Sequence, residues 1–459
     1  MTKLYHSIVL MAVMIGGAVP LAVPTANADS LTDALRASLA SSKSLAAARQ
    51  GWVAARETIG TKTTTSDLSA RLNTTGSGSY ADSKNGNGFT ESQSISAGIT
   101  VSKNLFDGGQ TRENTRLAEI DLETAGAGYI KVEQSVILDT IEAYLNVIKT
   151  RRETVLHTAN TARLDAHVAA ARIRVEAGAA TPTRLAEARA RLARAKSDAI
   201  AANTRLVNAE DAYKSLTGVD AGDLQQPELV VNLPTSIEEA ATAASNHHPD
   251  IISARSVERA AAQGFNTLKA SVAPTMAFSL SASTKAASGT TNDKDDVTAQ
   301  LTFSTPILST NATRSAARRV AASHSQSKLK YREALRAVSV GARQAFRNWQ
   351  ATETRLDAIK SEIEATRLVA KGIASEAQFG QKTTLDLLDA EQDVNDAELR
   401  LVTVEHDRLL ASFRLLAAVG SLTAADLGLA DVLGDLNAMP APQNPFSTTF
   451  PFARRVVAE

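Results

Sequence analysis

The stretch "EAQFGQKTTLDLLDAEQD", residues 376–393, runs a polar turn through Gly380 into a helix start that carries two acids, Asp386 and Asp389. Upstream, "VEAGAATPTRLAEARAR" at 175–191 has the same plan with Gly178 in the place of Gly380, and 380 − 178 = 202. Gly218 in "LTGV" and Gly420 in "AVGS" close the two following segments, and 420 − 218 is again 202. Matched glycines at one spacing, each beside matched patterns, mark a tandem duplication.

After Gly178, apolar or small residues fall at Leu185, Ala188, Leu192, Ala195, Ala199, Ala202, Leu206, Ala209, Tyr213 and Leu216. Steps of three and four without a break form a heptad seam, and its many alanines let helices approach closely. The second copy repeats it from Leu387 through Ala397 and Val404 to Ala418, interrupted at Arg408. Before each seam lies a stretch without proline, about 107–177 and 310–377. At 1.5 Å per residue each predicts a helix on the order of 100 Å long, a rod rather than an ordinary globular element. Shorter helices open the copies at 31–59 and 236–265, where Ala34, Leu45 and Arg49 align with Ala240, Ile251 and Arg255 at an offset of 206.

Between the opening helices and the rods lie strand patterns, at about 66–80 and 89–105 in the first copy and about 274–285 and 296–307 in the second. Met276, Phe278, Leu280 and Ala282 alternate with polar residues, and Val297, Ala299, Leu301 and Phe303 alternate with Thr298, Gln300, Thr302 and Ser304. A period of two with one greasy and one Ser/Thr/Gln face is the pattern of an outer-membrane strand. Four strands cannot close a barrel, since the smallest membrane barrels use about eight. Open edges are not tolerated in lipid, so several chains must pool their strands.

Composition narrows the class. Lys+Arg 49 against Asp+Glu 49 gives no net charge and no global pull toward nucleic acid, and aromatics at 4% favour close-packed helices over a bulky core. Lys3, the apolar run from Ile8 to Val19 and Ala26-Asn27-Ala28 predict a signal peptide over 1–28, with the mature chain starting at Asp29. The sequence has no cysteine, hence neither disulfides nor a lipidated N-terminal cysteine. The remaining divisions are a first repeat at 29–222, a linker at 223–235, a second repeat at 236–428 and a loosely ordered, proline-containing tail at 429–459. No phosphate loop, nucleophile elbow or zinc motif is present, so the sequence offers no catalytic residue, cofactor site or metal site. His247-His248-Pro249 reads as a helix bend.

With the duplicated helix-hairpin-helix plan, the strand-to-helix junction "NLFDGGQTR" at 104–112 (Phe106, Asp107, Gly108, Gly109) and "FGQKTTLDLLDAEQ" at the turn, the chain resembles the TolC-like outer membrane factors. The second junction, "PILSTNATR" at 306–314, departs from the family by having Thr310-Asn311 instead of a glycine pair. The resemblance implies a mainly α fold with a small β part. It implies a homotrimer in which four strands per chain build one transmembrane β-barrel in outer-membrane lipid, above a coiled-coil α-barrel tunnel through the periplasm. It further implies a periplasmic adapter protein and an inner-membrane ABC or proton-driven transporter as partners, for efflux or type I secretion, and no enzymatic activity. The turns at Gly178 and Gly380 would lie at the periplasmic mouth, with Asp386, Asp389 and Glu187 as pore-gate acids beside the basic Lys382 and Arg184. Crowded like charges there would raise one another's pKa and attract cations. Arg184 stands where the family commonly has an acid bonded to a base such as Lys382, so the closing contact is expected to differ, through Arg184 with Glu187 or with Asp386. From the residues alone, two alternatives stay open: a secreted coiled-coil structural or adhesin protein, and the adapter of the same pump.

Overall fold

The computed structural model describes residues 30–64, 67–82, 89–227, 233–288, 294–307 and 311–434; the expected signal peptide, most of the C-terminal tail and the hairpin tips lie outside them. The first copy runs α1 (Leu31–Ser41), α2 (Lys43–Thr63), β1 (Ser69–Asp82), β2 (Phe89–Phe106), α3 (Gln110–Glu176) and α4 (Pro182–Thr217). The second runs α5 (Ile237–His247), α6 (Pro249–Ser271), β3 (Thr275–Ser288), β4 (Lys294–Ser304), α7 (Asn311–Gln378) and α8 (Thr384–Val419), followed by the single turn α9 (Ala430–Leu433). The duplication is thus one of whole structural units. The rods α3 and α7 have 67 and 68 residues, each about 100 Å long at 1.5 Å per residue. No helix among the described residues is long and apolar enough to cross a membrane.

Each opening helix breaks into two, the second at the bend expected at His247-His248-Pro249 and the first, expected to be continuous, at Ser42. Ser42 (φ −64°, ψ 115°) ends α1 and caps α2, its side chain accepting the Leu45 N–H. His248 (φ −66°, ψ 131°) ends α5 and caps α6, its Nδ1 accepting the Asp250 N–H ahead of Pro249 at the first helical position. The two breaks are duplicates, since 248 − 42 = 206. A side-chain cap satisfies one of the orphan amides that any helix start leaves.

The four strands form one antiparallel sheet in the order β1-β2-β3-β4. Its register sorts the alternating residues cleanly. Leu72, Ile99, Ala282 and Val297 stand in one row across all four strands, and Ala70, Val101, Leu280 and Ala299 in another. The opposite face carries rows such as Arg71, Thr100, Ser281 and Thr298. The apolar rows are not covered by the rest of the chain: Leu72 is 72% exposed and Val297 77%. Strands β1 and β4 each keep one unpaired edge among the described residues.

The apolar core sits at mid-height of the rods. There Leu35 and Leu39 of α1, Ile137, Ile141 and Tyr144 of α3, Tyr213 of α4 and Leu416 of α8 pack into one cluster. A second cluster joins Ala240 and Ala244 of α5 to Ala342 and Phe346 of α7 and Leu415 of α8. The short helices α1 and α5 therefore form a collar at the middle of the rods, α6 runs from it along the upper half of α3, where Gln263 donates to Glu113, and the paired helices descend to the two turns.

Candidate functional site

The two turns share a backbone. Gly178 (φ +72°) and Gly380 (φ +74°) take the left-handed conformation that ends a helix without a Cβ penalty. In each turn the next residue's N–H reaches back to the last helical turn, Ala179 to the Arg174 carbonyl at 2.8 Å and Gln381 to the Glu376 carbonyl at 3.0 Å. The returning helices then start differently. Pro182 opens α4 after Thr181, whose side chain makes no cap, whereas Thr383 and Asp386 form a reciprocal capping box on α8.

Asp386 is spent on that box. Its Oδ2 accepts the Thr383 N–H and the Thr383 hydroxyl, both at 2.8 Å. These bonds, backbone first, with help from nearby Lys382, hold its carboxyl below the usual aspartate value. Within one chain the shift is therefore the reverse of the rise expected from crowded acids. Asp389, one turn on, points elsewhere: its Oδ1 accepts from Arg191 Nη2 of α4 at 2.6 Å.

That contact is one of three polar links tying the lower end of α8 to the first copy's hairpin. His167 Nε2 of α3 donates to Glu391 Oε2 at 2.9 Å, and Arg174 Nη1 donates to Thr384 Oγ1 at 3.3 Å. Beneath them Leu388 is buried against Leu164, Leu192 and Ala195. A 330 Å³ cavity remains between the turns, lined in part by Arg184, Glu187, Thr384 and Leu385. The closing contacts expected of Arg184 are not made, because no carboxylate lies within 4 Å of it among the described residues. The base that meets an acid of α8 is Arg191, on Asp389. Glu187, the duplicate of Asp389 (389 − 202 = 187), is exposed at the cavity wall, as is Arg184. Arg191, His167, Arg174 and Glu391 had no signature in the sequence, since their pairing exists only once α8 lies across the α3–α4 groove.

At the other end of the rod, Phe106 closes β2 beside a register shift, and Asp107 turns the chain into α3 by accepting the N–H groups of Gly109 at 2.9 Å and Thr111 at 2.7 Å. Gly108 is doubly constrained. Its φ is +68°, and a Cβ there would sit 2.6 Å from the Ala273 Cβ. The first junction thus packs against the loop that leads into β3.

The chain is a duplicated pair of rods with a four-stranded sheet at one end and paired turns at the other, and the class of this architecture is given by its relatives. The sequence profile of the family described as outer membrane efflux protein matches residues 34–219 and 241–421, the two copies found above. The chain belongs to that family, whose members are outer-membrane channels. The outer membrane efflux protein BepC of Brucella suis biovar 1 (strain 1330) is 29% identical over 334 residues, covering 72% of this chain and 73% of BepC. Among solved structures, a membrane protein from Pseudomonas aeruginosa matches with a TM-score of 0.73 at 18% identity, over 85% of this chain and 93% of that one. The open state of the Neisseria gonorrhoeae MtrE outer membrane channel matches with a TM-score of 0.70 at 20% identity, over 86% and 89%. The protein is thus an outer-membrane efflux channel with a periplasmic extension, which sets aside the readings as a secreted rod or an adapter.

Proposed function

We propose that three copies of the chain assemble into one passive duct from the periplasm to the exterior, closed at its periplasmic mouth by the paired turns. One observation carries the assembly: the chain is half-partnered along one side of both of its arrays. In α8 a second heptad stripe, Leu388, Asn395, Val402, Leu409 and Leu416, is buried on the side away from the α7 seam. Its duplicates in α4 are Ala186, Ala193, Ile200, Val207 and Lys214, all exposed. As α8 lies against α3 of its own chain, α4 lies against α7 of the next. The sheet edges of β1 and β4 close by the same step, and the uncovered apolar rows meet lipid.

In the assembled mouth, Asp389 and Glu187 face the passage as acidic rings, with Asp386, Lys382 and Arg184 around them. The Arg191–Asp389 and His167–Glu391 pairs hold α8 inward as the latch of the closed state. The chain divides into two repeats at 29–222 and 236–428, joined by the linker at 223–235, after a leader at 1–28 and before the tail at 429–459. A periplasmic adapter and an inner-membrane ABC or proton-driven transporter complete the export pathway, and chemistry at the duct is limited to passage. Single-channel recording tests the gate. Arg191→Ala is expected to raise the open fraction several-fold, and Asp389→Ala to weaken block by multivalent cations added on the turn side. Unchanged gating and unchanged block in both variants would remove the gate from these residues.

A further inference from the structure

Well above the acidic turns, the structure carries a groove of the opposite sign. It measures 630 Å³ and is lined by Lys149 of α3, Arg205 of α4, Arg355 of α7 and Arg400 of α8, with Glu153 as its acid. Glu153 is shared between two cations, Lys149 Nζ at 3.9 Å and Arg205 Nε at 3.8 Å. Arg400 is held by Glu362 across the α7–α8 seam. Arg355 is exposed and has no carboxylate within 4 Å among the described residues. Four basic groups thus meet two acids, which leaves surplus positive charge.

The groove faces away from the collar. Tyr144 donates to the Gln225 carbonyl at 2.6 Å on the collar side of α3, and Glu153 lies nine residues further on, two and a half turns at about 3.6 residues per turn. The same count separates Phe346, packed under α5, from Arg355. Both therefore point to the side opposite the collar. On the duct reading, on which this inference rests, that side is the lumen, and symmetry repeats the groove around it.

We infer that the lumen at this height holds a binding site for multiply charged anions, solutes that carry several phosphate or carboxylate groups. Two features favour anions over a merely solvated wall. The four bases come from four different helices and converge on one concavity, and the two acids that reach them, Glu153 and Glu362, are outnumbered and leave Arg355 unmatched among the described residues. Guanidinium groups suit this task because their fixed fork of donors fits oxyanions, and a confined wall screens them less than open water does. A passing anion would thus be held after clearing the acidic mouth.

The test uses the purified full chain in a planar bilayer, with inositol hexakisphosphate or citrate added from the barrel side and neutral inositol as control. Inositol hexakisphosphate is expected to block the current, less at high salt, and the double variant Arg205→Ser/Arg355→Ser to weaken that block by about tenfold or more. Arg152→Gln, paired with Glu405 of α8 and outside the groove's lining, should leave it unchanged. Block by citrate as well assigns general anion affinity, and block by the phosphate compound alone assigns a phosphate preference; either supports the site. A conducting pore with no anion block, or block that survives the double variant, overturns the site and leaves the duct standing. Absence of any conducting pore overturns the duct reading and this inference with it.

Discussion

Helices α4 and α8 are duplicates of 36 residues each, yet α8 is buried on two sides and α4 on one. Val402 and Leu409 are 4% and 6% exposed, while their counterparts Ile200 and Val207 are 69% and 48% exposed. Both helices keep the seam to their own rod. Only α8 also finds a rod from the other copy; on the proposed assembly the chain that flanks α4 is another molecule. On that proposal the duplicated array continues across subunits, and the exposed stripe of α4 is apolar because it is an interface.

Lysine at the paired positions breaks the comparison most sharply. Val402→Lys buries a charge within the chain and is expected to cost more than about 4 kcal/mol, seen as loss of folded protein in thermal unfolding. Ile200→Lys lies on the free surface of one chain and should change its folding by no more than about 0.5 kcal/mol while abolishing the assembly, read as particle mass in detergent. Equal effects from the two substitutions would mean that α4 has no partner.

A smaller contrast lies just past the two helices. After α4, Arg151 donates to the carbonyls of Ala221 and Gly222. After α8 the holder is an acid, Glu133, whose Oε1 accepts the Ala424 N–H at 2.6 Å. Burial, with Asp426 nearby, pushes the Glu133 carboxyl above its ordinary 4.5, against the lowering bond from Ala424. A pKa higher in the folded state gives stability that is fully present below about pH 4.5 and is lost as pH rises through the folded value. Glu133→Gln should remove that slope, so that the variant gains on the wild type between acid and neutral pH in thermal unfolding. An unchanged pH profile would show that Glu133 titrates alike folded and unfolded.

The smallest expected effect concerns the helix starts. Because Asp386 caps α8, Asp386→Asn should speed amide exchange in the first turn of α8 with little change elsewhere. Thr181→Ala on α4, where no side-chain cap exists, should leave exchange unchanged. Since the capping bonds lower the Asp386 pKa, the cap's contribution holds above the ordinary 3.8 and fades as pH falls through the lower folded value.

Much of this was legible in the residues. The 202-residue offset, the seam from Leu185 to Leu216 and the alternation from Val297 to Phe303 each follow from a local period, and each recurs as a buried stripe or a sheet row. The break at His248 was visible through Pro249, while its duplicate at Ser42 was not, because a serine cap alone does not forbid a helix from continuing. The second stripe of α8 went unread because Leu388, Val402 and Leu409 are one step off the first and acquire meaning only when a third helix is present. The Arg191–Asp389 pair was hidden for the same reason: its partners are 198 residues apart and meet through packing.

On the proposed assembly this chain is one part of a closed array. The mass of the particle extracted from outer membranes in mild detergent, measured by light scattering with the detergent subtracted, tests it most directly. A single species of three chains is the expected result. A homogeneous one-chain particle, stable in water after the detergent is removed, would contradict the account.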